Sequence, residues 1–98
     1  IMSNIISLSK AVTETHNYQN DPRFQGLTKS LLIDALAYHQ LLAQPNVVGV
    51  RTYFAIDNEV LTIVVVGVDI HGEDCTQGLI LGNAEPCPFS CPTNSPLL

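Results

Sequence analysis

The residues best equipped for chemistry stand near the C-terminus. Cys87 and Cys91 lie in the run EPCPFSCP, four positions apart, with a proline after each. Thiolates are soft nucleophiles and soft metal ligands, so such a pair points to zinc binding, redox exchange or a disulfide. The spacing is C-x3-C, unlike the C-x2-C of zinc knuckles and thioredoxin-like sites. A structural zinc needs four ligands, and Cys75 with His71 are the nearby residues that would complete Cys87 and Cys91. The flanking prolines would shape a loop at low entropic cost. An acidic neighbourhood, however, raises a thiol's pKa and works against a reactive cysteine. The spacing leaves free thiols, a disulfide and a metal site open, with free thiols the default for a reducing compartment.

Other candidate groups converge less. Asp69, His71, Glu73 and Asp74 surround Gly72, an arrangement that could hold a hard cation. A calcium loop of the EF-hand kind needs twelve residues and a terminal Glu, so a turn with Asp capping backbone N–H groups is the expected structure. Serines, histidines and carboxylates are present, yet there is no nucleophile elbow, phosphate loop or HExxH. His39 falls on or beside an apolar helix stripe, and His16 falls at a helix end, where a cation suits the dipole. The expectation is a protein without enzymatic activity and without a cofactor.

Charge narrows the partners. The net charge is −5, and after Arg51 the chain has no Lys or Arg. Four scattered cations cannot displace the counterions of nucleic acid or hold an anionic membrane, so neither partner is expected. The opening, IMSNIISLSKAV, lacks the basic region and continuous apolar run of a secretory leader, and a cytoplasmic location is the expectation.

The elements that must position these groups centre on residues 46–74. Alternating apolar residues predict two strands (about 46–70) joined by a tight turn at Asp57-Asn58. The second strand is apolar on both faces, through Val64, Val66 and Val68 and through Leu61, Ile63 and Val65. Both faces must therefore be covered. A first helix from Ser7 to about Tyr18 is expected, with Ser7 as N-cap. Asp21-Pro22 could cap and start the next helix early. A second helix is expected from about Leu27 to Ala43, stopped at Gln44-Pro45-Asn46. Residues 78–82 suggest a short third strand. From Asn83 the tail holds four of the six prolines and should be extended.

Three motifs in order carry a resemblance. These are Gln44-Pro45-x-x-Val48-Gly49-x-Arg51-x-Tyr53, then Val66-Gly67-Val68-Asp69-x-x-Gly72-x-Asp74, then Cys87-Pro88-x-x-Cys91. With the leading Ile6-Ser7-Leu8 they resemble a family of small, uncharacterised bacterial proteins, over most of the chain. The resemblance implies a compact α+β unit with a Cys-Pro tail and carries no catalytic role.

The expected fold is α+β: two helices packed on a small antiparallel sheet centred on the hairpin. Residues 1–83 would form the domain and 84–98 a Pro/Cys-rich tail. The sheet face carrying Leu61, Ile63 and Val65, with Val47, Tyr53 and Arg51, needs a partner, and a second copy of the chain is the expected one. Arg51 is expected to pair with Asp69. The function these readings suggest is a self-associating structural or protein-interaction protein, binding itself or another protein. The alternative is a small metal-binding or thiol-redox module using Cys75, Cys87, Cys91 and His71.

Overall fold

A two-residue turn sets the geometry of the sheet. In the computed structural model, which describes residues 4–98, Asn58 and Glu59 both take positive φ, 49° and 67°. The first residues of the opening run, read above for a leader, lie outside the described residues. Positive φ at both loop positions is the type I′ pattern, whose twist matches that of the flanking strands. The turn thus falls one residue later than the Asp57-Asn58 expected, because Asp57 still pairs with Val60.

The joined strands are β2 (Gly49–Asp57) and β3 (Val60–Val68), antiparallel and in unbroken register from Asp57↔Val60 to Gly49↔Val68. The remaining elements in chain order are α1 (Leu8–Asn20), a 3-10 turn at Pro22–Phe24, β1 (Ser30–Leu32), α2 (Ala35–Leu42), β4 (Ile80–Leu81) and β5 (Glu85–Cys87). They form two antiparallel sheets, one ordered β2-β3-β4 and the other pairing β1 with β5. The α+β class read from the sequence holds.

Residues opposite each other in an antiparallel ladder project to the same face. Thr52, Phe54 and Ile56 therefore share a face with Val65, Ile63 and Leu61, while Arg51 and Tyr53 share the other with Val66 and Val64. The expected grouping of Leu61, Ile63 and Val65 with Arg51 and Tyr53 is corrected. A two-residue loop pairs positions of opposite parity, so odd residues of β2 must face with even residues of β3.

The core lies where α2 crosses β3 and β4. Leu41 of α2 and Val65 of β3 are fully buried, and Val66 is 3% exposed. Val65 and Val66 are adjacent and point to opposite faces, so the C-terminal half of β3 is covered on both sides by its own chain. This corrects the expectation that β3 itself requires a second copy. Gln44 locks α2 to the sheet: its Oε1 accepts from the Leu79 N–H at 2.8 Å, and its Nε2 donates to the Leu41 carbonyl at 3.0 Å.

The second helix is shorter than expected. Residues 27–34 leave the helical path: the Lys29 N–H donates to the Cys87 carbonyl at 2.7 Å, and Ser30–Leu32 pair with Glu85–Cys87. The tail's strand thus competes successfully for backbone groups that helix propensity alone would assign to α2. The helix starts instead after Asp34, whose carboxylate accepts from the Ala37 N–H. At the other end of the chain α1 opens as expected, Ser7 accepting from the Lys10 N–H at 3.1 Å. Pro22 begins a 3-10 turn rather than an α-helix, capped by Asp21, which also grips Arg23 through Nε and Nη2. Tyr18 stacks on Phe24 at 5.1 Å and donates to the Thr28 carbonyl at 2.7 Å, tying α1 to that turn.

Candidate functional site

Two features of the molecule are not accounted for by packing alone: a polar cluster on one face of β2 and the apolar residues left open along the same strand. The cluster is built by the turn after β3. Asp69 accepts from the backbone N–H groups of His71 and Glu73 at 2.8 and 3.0 Å, and Gly72 takes φ +79°. This is the capped turn expected of the acidic loop, and it folds the chain back so that Asp74 bridges Val68. There the Asp74 carboxylate accepts from both Arg51 Nη1 and the Tyr53 hydroxyl, and Arg51 also reaches the Gly72 carbonyl at 3.3 Å.

Arg51 thus pairs with Asp74, not with Asp69 as expected, because Asp69 is already spent on its own turn. The hydrogen bond from Tyr53, and then the hydrogen bond and charge of Arg51, hold the Asp74 carboxyl below its ordinary 3.8. The same bond to Asp74, with desolvation, pushes the Tyr53 hydroxyl above its ordinary 10.0, and Asp74 likewise raises Arg51. In the sequence Asp74 is only one more acid in a loop. The signal that could have found it is the tight turn at Gly72, which returns the chain beside the end of β3. The cluster ties the turn to β2.

β2 itself is an open edge. Phe54 is 84% exposed and Ile56 77%, while Tyr53 is 46% exposed on the opposite face. Of the residues expected at an interface, Val65 is fully buried in its own chain. Val47 packs its side chain against Gly67, where an added Cβ would come within 2.6 Å of Val47 Cγ2. Leu61 and Ile63 are half-buried, Arg51 and Tyr53 exposed. The exposed Phe54 and Ile56 escape a reading of the sequence, which cannot tell the edge strand from the central one.

The tail cysteines form a disulfide, Cys87 to Cys91, with Cα atoms 4.9 Å apart. Free thiols were the default expectation. The bridge arises because Cys87 is fixed by β5 and the Ser90 N–H donates to the Pro86 carbonyl at 2.9 Å, curling Cys91 back. Cys87 is buried and Cys91 exposed, whereas Cys75 is a half-buried free thiol. His71 is exposed. Among the described residues no three His, Cys, Asp or Glu side chains converge as a metal site would require.

No family model, curated protein or solved structure matches this chain. No described helix is long and apolar enough to cross a membrane.

Proposed function

We propose that the chain is a non-enzymatic subunit that associates with copies of itself, in a structural or protein-interaction role. One observation carries this reading. The isolated chain exposes 7518 Å², whereas a folded monomer of its 10.6 kDa exposes about 5,500 Å². The surplus of about 2,000 Å² per copy falls in the range that permanent subunits bury in their contacts. The radius of gyration agrees: 15.0 Å, against about 13 Å for a compact chain of this length. Apolar side chains stand exposed along β2, Val50, Phe54 and Ile56 among them, and exposed apolar surface on this scale drives association. Size-exclusion chromatography with light scattering at micromolar concentration tests the proposal. A dimer or larger assembly is expected, and a clean monomer removes the reading.

The Cys87–Cys91 bridge favours a second reading, a thiol-redox module, since Cys91 is an exposed residue and a disulfide at the surface can exchange with an incoming thiolate. A persistent bridge fits an oxidising compartment; a cytoplasmic chain would hold it only as a working redox pair. Equilibration in glutathione buffers decides. A bridge that opens within the cellular range supports the module, and one that stays closed throughout removes it.

A further inference from the structure

We infer that two copies join edge to edge through β2, antiparallel about a two-fold axis, to make one continuous six-stranded sheet. This rests on the self-association proposed above and gives it a geometry. β2 is one edge of the sheet, and among the described residues no strand pairs with its outer side. Native edge strands are usually blunted by proline, by lysine, by a bulge or by a covering loop. β2 contains neither proline nor lysine, and its register with β3 is unbroken by any bulge. Its arginine, the residue best placed to guard the edge, is turned onto Asp74. Nine residues of unguarded strand, apolar at Val50, Phe54 and Ile56, are a template for another strand.

The rest of the fold argues that this strand is a second β2. The opposite edge of the sheet, β4, is two residues long, and β1 and β5 are three each. None offers a ladder to match nine residues, so head-to-tail growth has nothing to dock on. Pairing β2 with β2 consumes both long edges and closes the assembly. Backbone groups along a strand alternate in direction, so a symmetric pairing must set residues of like parity opposite each other. Centring the register on Phe54 satisfies this. It places Phe54 beside its symmetry mate and Ile56 beside Thr52 of the second copy. Aromatic neighbours across strands are a stabilising kind.

The test combines sedimentation velocity with amide hydrogen exchange on the full chain. Phe54→Lys puts like charges at the axis and removes an anchor from both copies, so association should weaken about 100-fold or more, with the circular dichroism spectrum unchanged. Leu36→Lys, the same kind of change at an exposed residue of α2, should leave association as it was. In the wild type, alternate amides of β2 should exchange slowly when associated and rapidly on dilution. Association that withstands Phe54→Lys, rapid exchange along β2 in the assembled state, or masses beyond a dimer would overturn the edge geometry and leave self-association standing. A wild-type monomer would overturn both. If Phe54→Lys does not fold, the wild-type exchange pattern decides alone: slow alternate amides support the edge pairing, and rapid ones overturn it.

Discussion

Asp74 shows how much structure one carboxylate can organise when its donors come from an adjacent strand. Its acidity is raised by Tyr53 and Arg51, so the stabilising contribution is complete above its ordinary 3.8 and fades as pH falls through the lower folded value. Asp74→Asn should therefore reduce the denaturant midpoint by a constant amount at neutral pH, with the gap to wild type closing in the acid range below about pH 4. Tyr53 works in the other direction: its contribution holds below 10.0 and is lost as pH rises through its elevated folded value. A gap between Asp74→Asn and wild type that stays constant down through the acid range would contradict the assignment. Gly67 is the second residue whose role is sharp. Adding a Cβ there drives into the branched Val47 side chain, so Gly67→Ala should cost about 1–3 kcal/mol in chemical denaturation. Val47→Ala in the same chain should recover most of that loss, which a general glycine effect would not allow. In the sequence Gly67 is only a member of a motif. Its reason is a contact between residues distant along the chain, and nothing local announces it.

At the scale of elements, the sequence is readable where local signals and tertiary pairing agree. The hairpin alternation, the Ser7 cap and the glycine-bounded strand at Ile80–Leu81 all appear in the structure. The helix expected over residues 27–43 fails in its first half for a definite reason. Leu27, Lys29, Leu31 and Leu32 are good helix formers, yet residues 30–32 serve as the ladder for β5, and pairing of that range outweighs the tenths of a kcal/mol that separate helix propensities. The two faces of the hairpin are misgrouped without the parity argument that the turn length supplies. That turn is itself imperfect, because Glu59 occupies a left-handed position that favours glycine. Glu59→Gly should raise stability by about 0.5–1 kcal/mol in thermal or urea melts. An unchanged or lower stability would mean that Glu59 has a compensating contact.

Taken whole, the molecule has a small core and a large skin. Among the described residues only Leu41, Val65, Val66 and Cys87 count as buried apolar residues. The tail contributes to the fold beyond β5, since the Pro96 and Leu97 carbonyls accept from His16 and Gln19 of α1. Even with the tail in place, β2 stays open to solvent. The sequence does disclose a surplus of apolar material for so short a chain, but the most exposed apolar side chains of the hairpin, Phe54 and Ile56, lie on β2 rather than on β3. Alternation marks a strand as two-faced, and it does not say whether that strand will sit in the middle of the sheet or at its rim. Sedimentation equilibrium over a range of micromolar loadings addresses self-association most directly. A paired chain has a mass of about 21 kDa, twice the 10.6 kDa of one copy, relaxing toward the single chain only on dilution. A mass of 10.6 kDa at every loading would contradict it.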